Sequence, residues 1–336
     1  MSESSLVTVR TDYPVELLRF NTDGSHLLAY DGSLLVDINL DNHSSKKVSL
    51  ESIFPRKSPT VRDSYRILPI GFDASVGGIV VVKTDGNLGV VDPNDPQRAS
   101  IVAINTTNNE NPVWDINSAV YNPDSRRVYI TDRTGIWSVD LTTGHARMLH
   151  MASNISCSDV DPGIGVVFCS EFDRSDYNRS APRKLLVLNT GSGELTVIRS
   201  GIEYYSMSVD TEKHRVYVYT VDEKNRSAFQ TFDFVDSQIR HIKEINIGQV
   251  LYPVVIDHRN GLAFGDRDLE SDWLTFGSEV VMINIESQQT LRIMKHDPFY
   301  NGVMAVDPVN RRVAVTHRHG VFVCTYDPMR MSDGIC

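Results

Sequence analysis

Residues with oxygen-donor side chains recur shortly before several turns that are anchored by Asp or Asn. The residues that lie a similar number of positions before four of these turns are Glu16, Asn117, Asn154 and Asn301. Carboxylate and amide oxygens are the ligands that a hard cation such as Ca²⁺ accepts. The spacing therefore predicts that these four residues hold a divalent cation, Ca²⁺ or another. The alternative is that they are ordinary polar residues at strand starts that face water.

Two further carboxylates are candidates for a general base. Glu203 occupies the same position relative to its turn, and Asp115 lies just before Asn117. A bound divalent ion can polarise a carbonyl group or activate water, and a neighbouring base works best when its pKa lies near neutrality. We therefore predict that Glu203 or Asp115 is the catalytic base.

Two long loops and several aromatic residues are predicted to form the rim of this site. The loops are CSEFDRSDYNRSAPRK and FGDRDLESDWLTFGSE, and long loops inside a compact domain are more often functional than idle. Aromatic rings there could stack on a ring-shaped ligand or wedge between structural units. The predicted rim residues are Arg66, Asp173, Tyr204, Tyr252, Asp268, Trp273 and Tyr300.

Other catalytic motifs are weaker or missing from the sequence. His317-Arg318-His319 could place two imidazoles on one side of a hairpin, although a solvated turn is the simpler interpretation. No Gly-x-Ser-x-Gly occurs, and no Ser/His/Asp set can be identified by spacing. No Gly-rich phosphate loop follows a strand and opens a helix.

The elements that must position these residues are short β-strands. The stretch 126–149 reads RRVYITDRTGIWSVDLTTGHARML, with strand-length apolar runs separated by DRTG and LTTG. β-Branched and aromatic residues favour strands, whereas Gly, Asp and Thr suit tight turns. Together with the preceding run NSAVYN, this stretch predicts four antiparallel strands, A to D, joined by short hairpins.

The four-strand unit repeats seven times along the chain. Strand A ends each time at an Asp- or Asn-anchored turn, strand C ends at a second Asp or Asn, and most copies are about 40 to 50 residues apart. An array of such sheets predicts an all-β, seven-bladed β-propeller of four-stranded antiparallel blades. Strand A would then line a central channel, and the anchors, which we interpret as turn residues, would lie on the face opposite the predicted site. The strand A anchors are Asn21, Asp73, Asn122, Asp161, Asp210, Asp257 and Asp307.

The two ends of the chain predict how the propeller closes. The seventh repeat has strands A to C, but the tail PMRMSDGIC has no apolar alternation for strand D. Residues 5–10, SLVTVR, form a strand without a partner in the first repeat. Pairing this strand with the last blade would complete that blade and remove an exposed edge. Since a propeller grows by adding blades, we expect residues 1–336 to form a single β-propeller domain.

The repeat units AVDPVNRRVAV, VYNPDSRRVYI and SVDTEKHRVYV resemble those of the YVTN/NHL/SMP-30-type β-propellers. Within this group, the SMP-30/gluconolactonase enzymes hold a divalent metal with one Glu, two Asn and one Asp, so the resemblance implies lactone hydrolysis. Asn117 precedes the Asn122-Pro123 turn as their central Asn precedes its Asp-Pro turn, and Glu16 is similar to their early Glu. Their Asn-Asp-Gly is replaced by Asn117-Ser118-Ala119, and their late Pro-Asp-Gly by Tyr300-Asn301-Gly302.

Charge and composition argue against several classes of partner. The chain has 33 Lys and Arg against 43 Asp and Glu, a net charge of −10, which disfavours nucleic acid or an anionic membrane as the main partner. No apolar run is long enough to cross a bilayer. The start MSESSLVTV lacks the basic residues and apolar core of a signal peptide. A cytoplasmic location is therefore the default expectation, with secretion if the chain is a processed form.

The four cysteines show no Cys-x-x-Cys and no zinc-ligand spacing. Cys157 and Cys169 flank the DPGIG turn, where the register of strands A and B would place them opposite one another. They are either two buried thiols, which pack as small hydrophobic groups, or a cross-strand disulfide, which would imply an oxidising compartment.

Two functions are compatible with these features. The polar residues at the strand starts favour an enzyme that acts on a small molecule, as a lactonase-like hydrolase or as an isomerase, lyase or cyclase. The long loops would suit a non-catalytic propeller that binds a small ligand or a protein at its rim. The fold alone does not choose between them. A divalent cation and a small-molecule ligand are the partners expected of the enzyme, and a protein partner belongs to the alternative.

Overall fold

A computed structural model shows that the apolar runs of the sequence form strands. The residues it describes are 7–10, 15–21, 23–30, 34–53, 67–73, 78–83, 88–92, 95, 99–102, 104–106, 116–171, 184–200, 203–222, 224, 226–235, 238–247, 251, 253–269, 277–296, 302–317 and 320–328. These residues form 29 β-strands and one short helix. The strands make seven sheets of four antiparallel strands, one of them with an added strand. The fold is therefore a seven-bladed β-propeller, as predicted.

The first four blades follow the N-terminal strand β1 (Val7–Arg10). Blade 1 contains β2 (Leu17–Phe20), β3 (His26–Tyr30), β4 (Leu34–Asn39) and β5 (Ser45–Ser49), followed by helix α1 (Leu50–Ile53). Blade 2 contains β6 (Ile67–Asp73), β7 (Gly78–Lys83), β8 (Leu88–Val91) and β9 (Ser100–Val102). Blade 3 contains β10 (Asn105–Thr106), β11 (Ser118–Asn122), β12 (Arg127–Thr131), β13 (Gly135–Asp140) and β14 (His145–Met151). Blade 4 contains β15 (Ile155–Asp161), β16 (Val166–Glu171), β17 (Lys184–Asn189) and β18 (Leu195–Ser200).

The last three blades follow the same order. Blade 5 contains β19 (Glu203–Asp210), β20 (Arg215–Val221), β21 (Ser227–Val235) and β22 (Gln238–Asn246). Blade 6 contains β23 (Val254–Asp257), β24 (Leu262–Leu269), β25 (Gly277–Asn284) and β26 (Thr290–His296). Blade 7 contains β27 (Met304–Asp307), β28 (Arg312–His317) and β29 (Gly320–Thr325). The sequence did not predict α1 or the short strand β10, which pairs in parallel with β14.

The N-terminal strand completes the last blade, as the two chain ends predicted. Strand β1 pairs antiparallel with β29, with Val7 opposite Val323 and Arg10 opposite Gly320. The backbone groups along this side of β29 are thereby hydrogen-bonded and do not form a free sheet edge.

The chain divides into two compact units. One contains Met1–Asp31, Ile38–Ser45 and Glu203–Cys336, and the other contains Gly32–Asp37 and Lys46–Ile202. In the first unit, the strand A elements β19, β23, β27 and β2 lie next to one another in that order. In the second unit, β6, β11 and β15 are neighbours in the same way. Within each unit, strand A therefore always faces strand A of the next blade.

The hydrophobic cores lie between neighbouring blades. Val80 of blade 2 and Trp137 of blade 3 belong to one buried cluster, and Phe264 of blade 6 and Tyr326 after blade 7 belong to another. Successive side chains of a strand point to opposite faces of its sheet, so one strand can contribute to the cores on both sides of its blade. Each fully buried side chain of this size stabilises the fold by roughly 1.5–3 kcal/mol.

Six strand A anchors accept hydrogen bonds in the turns to strand B, which confirms their interpretation as turn residues, whereas the turn after Asp73 lies outside the described residues. Asn122 Oδ1 accepts hydrogen bonds from the backbone N–H groups of Asp124 at 3.0 Å and Ser125 at 3.2 Å. This side chain satisfies two donors that would otherwise be unpaired in the turn. Equivalent bonds are accepted by Asp161, Asp210, Asp257 and Asp307.

The turns from strand C to strand D use the same chemistry in most blades. Asp140 Oδ1 accepts from Thr142 and Thr143, and similar bonds are made by Asn39, Asn189 and Asn284. Blade 5 is an exception, because β21 continues past Asp233 to Val235. Asp233 instead accepts a hydrogen bond from Arg215 across the sheet, with Arg215 Nη2 and Asp233 Oδ2 3.0 Å apart. The prediction that strand C ends at an Asp or Asn in every repeat was therefore wrong for blade 5, where that residue is Asp233.

One of the two predicted long loops is partly a hairpin. Residues 264–279 were predicted as a loop, but β24 and β25 pair as far as Leu269 opposite Gly277. Arg267 forms an ion pair with Glu279, which is 5% exposed in its side chain. Pairing continues into this polar stretch because it satisfies the backbone groups and because the cross-strand charges attract one another.

Candidate functional site

The starts of the strand A elements carry predicted donor residues at one equivalent position. Glu16 directly precedes β2, and its backbone N–H donates to Tyr30 O at 2.7 Å. Asn117 directly precedes β11, and its backbone N–H donates to Thr131 O at 2.9 Å. Both side chains are exposed. Each residue therefore has the same place relative to strands A and B of its own blade, as the repeat spacing predicted.

Asn154 holds the same position in blade 4, with a distinct backbone conformation. It is half-buried, directly precedes β15, and has a φ of 64°. Asn is one of the residues that enter this left-handed region most readily. The backbone turn into strand A is thus a structural reason for Asn at this position, beside the predicted role as a ligand.

The strand starts that follow Asn117 and Asn154 contact each other within one compact unit. Ser118 Oγ lies 2.8 Å from Thr131 Oγ1, and it accepts a hydrogen bond of 2.7 Å from the backbone N–H of Cys157 in blade 4. Ser118 therefore joins the first strands of blades 3 and 4 close to the ends that carry the two asparagines.

A carboxylate that sequence reasoning missed lies beside Asn117. Asp132 comes one residue beyond the Ser118–Thr131 pair, at the register position opposite Asn117. It is fully buried, at 0% exposure. Its Oδ1 accepts the backbone N–H of Thr134 at 2.7 Å and of Gly135 at 3.0 Å. Its Oδ2 has no hydrogen-bond partner in the part of the chain that the structure describes.

The chemistry of Asp132 suits a bound cation or a bound polar group. An unpaired buried acceptor costs roughly 1–3 kcal/mol, and more when it is charged, so such a group requires an explanation such as an ion or a water molecule. The sequence showed Asp132 only as the first residue of the turn DRTG. Its burial could not be read from that motif, because burial depends on how the folded chain packs.

The predicted base and its aromatic neighbour begin strand A of blade 5. Glu203 is the first residue of β19 and pairs with Val221 of β20. Tyr204, which was predicted at the rim, is buried at 7% exposure. The roles proposed for these two residues remain predictions.

Most of the other predicted site residues lie outside the described part of the chain. This applies to Arg66, Asp115, Asp173, Tyr252, Trp273, Tyr300 and Asn301. Asp268 was predicted in a rim loop, but its backbone belongs to β24, opposite Ser278 of β25. The neighbouring Asp266 is half-buried, and its N–H donates to Pro253 O at 3.2 Å. Blade 6 therefore also carries a carboxylate beside the start of its first strand.

Charged and phenolic groups at the A–B turns join neighbouring blades. Arg126 forms an ion pair of 2.7 Å with Asp73 Oδ2, and this hydrogen bond raises the pKa of Arg126. Burial raises the pKa of the adjacent Tyr121 to about 12. In the other unit, Tyr326 Oη donates to Asp257 Oδ2 at 2.6 Å, and burial raises the pKa of Tyr326. Arg126 is already paired with Asp73, and Tyr326 with Asp257, which favours a structural role for these four groups.

The described residues contain no preformed cluster of protein ligands. No group of three or more His, Cys, Asp or Glu side chains within them is placed to hold a metal ion. A site there would need amide oxygens, backbone oxygens or water beside one or two carboxylates, which are ligands that suit Mg²⁺, Ca²⁺ and Mn²⁺. Asp132 and Asn117 fit that donor chemistry. No helix in the same part of the chain is long and apolar enough to span a membrane.

Comparisons with known proteins extend the description of the fold. No protein-family model and no curated protein sequence matches this chain. The chain is similar to the oligogalacturonate lyase of Vibrio parahaemolyticus, with a TM-score of 0.65, 13% identity and coverage of 96% of this chain and 92% of that chain. A structure of oligogalacturonate lyase in complex with manganese gives a TM-score of 0.65, 13% identity, and coverage of 96% and 91%.

A third similar structure has another role. The extracellular domain of a hybrid two-component system from B. thetaiotaomicron gives a TM-score of 0.58 and 12% identity, and covers 96% of this chain and 43% of that chain. At these identities the similarities show the β-propeller fold. The narrower YVTN/NHL/SMP-30 grouping, which the repeat motifs implied, is not confirmed.

Proposed function

We propose that this chain is a β-propeller enzyme that acts on an acidic small molecule, with a divalent cation as cofactor and a lyase-type elimination as the reaction. The observation that carries this proposal is the similarity over the whole length to oligogalacturonate lyase, with 96% of this chain and 92% of that chain covered. One such lyase is in complex with manganese. The lactonase-like hydrolysis implied by the repeat motifs has less support, because two of the three similar structures described above are oligogalacturonate lyases.

Because the chain has a net negative charge, a bound cation would help it to bind an acidic substrate. A protein with a net charge of −10 repels an anionic ligand. A bound divalent cation would make the local electrostatic potential positive. It would also withdraw electron density from a substrate carboxylate, as bound cations do at many sites. The donors proposed for it are Glu16, Asn117, Asn154 and Asn301. Asp132 joins them because it follows the Ser118–Thr131 pair in register and because its buried Oδ2 has no hydrogen-bond partner among the described residues.

The elimination needs a base in addition to the cation. The base would remove the proton on the carbon next to the carboxylate, the bond from the neighbouring carbon to the leaving oxygen would break, and a carbon–carbon double bond would form. Glu203 and Asp115 are the candidates, since a carboxylate with a raised pKa can act as such a base. The leaving oxygen would take up a proton from water or from a general acid.

The test measures cation binding and turnover separately. Manganese binding is measured by calorimetry, and oligogalacturonate cleavage by the ultraviolet absorbance of the unsaturated product. We expect Glu16→Gln and Asp132→Asn each to weaken manganese binding by about tenfold or more, the loss expected when a ligand or its supporting group is removed. Asp140→Asn is the matched control, because Asp140 makes the same kind of turn at a C–D hairpin.

Each outcome identifies the part of the proposal that fails. Absence of manganese binding in the parent protein would reject the cofactor. Binding without cleavage of any uronate oligomer would favour the non-catalytic propeller that binds a ligand at its rim. Binding that is unchanged in Glu16→Gln and Asp132→Asn would reject these donors. The imidazoles of His317 and His319 would then be tested next, by substitution with Ala.

A further inference from the structure

Two cysteines of blade 4 face each other across its first strand pair. Cys157 of β15 is directly opposite Cys169 of β16, as the sequence register predicted. Their Sγ atoms are 3.2 Å apart. Both residues are buried, with exposures of 4% and 0%. The two thiols of the reduced protein therefore lie close together in the interior of the fold.

The backbone register around the pair is compatible with a disulfide. The N–H of Cys157 donates to Ser118 Oγ of blade 3 at 2.7 Å, so it does not donate across the strand pair to Cys169. Opposite residues of this non-hydrogen-bonded type have Cα atoms about 4.5 Å apart. Disulfides span Cα distances of roughly 4.4–6.8 Å. The register also shifts between Cys157 and Asp159, and such a bulge bends β15 next to Cys157.

Two other roles for the thiols have less support. A soft-metal site would require further ligands, and the described residues contain no group of three or more His, Cys, Asp or Glu placed to bind a metal. A catalytic thiol would need to be accessible and readily ionised. Burial, reinforced by the neighbouring thiol of Cys157, raises the pKa of Cys169 well above its usual value.

We propose that Cys157 and Cys169 form a redox-sensitive pair that closes to a cross-strand disulfide when a small disulfide oxidant is present. While the chain folds or blade 4 opens locally, the two thiols are accessible to solvent, and one thiolate attacks the oxidant to give a mixed disulfide and one released thiol. The second thiolate then displaces the other half of the oxidant. Two S–H bonds are lost, one S–S bond forms within the protein, and the two protons are carried by the two oxidant-derived thiols. This proposal does not depend on the proposed enzymatic activity.

The test compares disulfide formation in the folded and unfolded protein. The chain is refolded from urea in a buffer of reduced and oxidised glutathione, the free thiols are alkylated, and the peptides are mapped by mass spectrometry. A parallel sample stays in urea at the same glutathione ratio. Closing a loop of this size stabilises a fold by a free energy that corresponds to a factor on the order of 100. We therefore expect the ratio of disulfide to dithiol to be about 100-fold higher in the folded sample.

The controls assign the bond to this pair. Cys324 is also buried, but in Cys324→Ala the link between Cys157 and Cys169 should form as in the parent protein. Cys157→Ala and Cys169→Ala should each abolish it. Equal ratios in the folded sample and in urea would overturn the proposal. A preferential link of either cysteine to Cys324 or Cys336 would also overturn it.

Discussion

His258 is a half-buried imidazole between two blades, at the turn that follows β23. Its Nδ1 lies 3.2 Å from Ser208 Oγ of β19. Four charged groups act on it: the carboxylates of Asp210 and Asp257 and the cations of Lys213 and Arg259. Burial is the largest effect, and it lowers the pKa of His258 below the ordinary value of 6.5. The fold therefore favours the neutral imidazole.

The lowered pKa of His258 predicts a loss of stability on the acid side. In the unfolded chain, His258 takes up a proton as the pH falls through about 6.5, whereas in the fold it stays neutral to lower pH. The unfolded state then binds more protons, so the free energy of unfolding decreases as the pH falls. We expect His258→Gln to reduce this decrease between about pH 7 and pH 5, measured by urea unfolding at each pH.

A second histidine provides the control for this measurement. His145 is exposed at the start of β14, and His145→Gln should leave the pH dependence of the parent protein unchanged. If both substitutions gave the same profile as the parent protein, burial of His258 would not contribute to acid sensitivity.

At the scale of elements, the N-terminal strand contributes more than its length suggests. β1 has 4 residues, and all of them pair with β29. The turns also join blades 7 and 1 within the same unit. Asn310 Nδ2 donates to Asp23 O at 2.7 Å, and Arg312 donates to Gly24 O at 3.0 Å. Gly24 has a φ of +71°, and a Cβ there would clash with the Asp307 carboxylate.

Deletion of residues 1–12 is predicted to destabilise the protein while leaving the turn contacts of blade 7 in place. It removes the ladder between β1 and β29, and a handful of hydrogen bonds of about 1 kcal/mol each makes a loss of roughly 3 kcal/mol. That is a large part of a typical total of about 5–15 kcal/mol. Thermal unfolding should show a lower Tm and aggregation through the exposed edge. Deletion of residues 1–4 only is the control. An unchanged Tm after the longer deletion would contradict this role for β1.

At the scale of the whole molecule, the expectation of a single domain for residues 1–336 can be tested by its cooperativity. The two compact units are each built of whole or partial blades, and repeat arrays are stabilised mainly by contacts between neighbouring repeats. We predict one thermal transition in scanning calorimetry, with equal calorimetric and van't Hoff enthalpies. Two separated transitions, or a van't Hoff enthalpy well below the calorimetric value, would show that the units unfold independently.

The sequence alone determined the features that depend on local chemistry. The repeat of four strands, the blade count and the pairing of the N-terminal strand followed from alternation of apolar residues and from the missing last strand. The turn role of residues such as Asn122 and Asp140 was also predictable, because their side chains bind backbone groups only two or three residues away. The opposition of Cys157 and Cys169 followed from counting along one hairpin.

Only the tertiary structure decided the features that depend on burial and on distant partners. Asp132 and Asp140 both begin a polar turn in the sequence, but of these two only Asp132 is fully buried. Asp233 pairs with Arg215 across the sheet instead of ending its strand, since β21 runs further than its apolar run. The same nonlocal pairing extends β24 and β25 into a stretch that was predicted as a loop. A local sequence pattern does not specify which distant residues come into contact, so these features could be identified only in the folded chain.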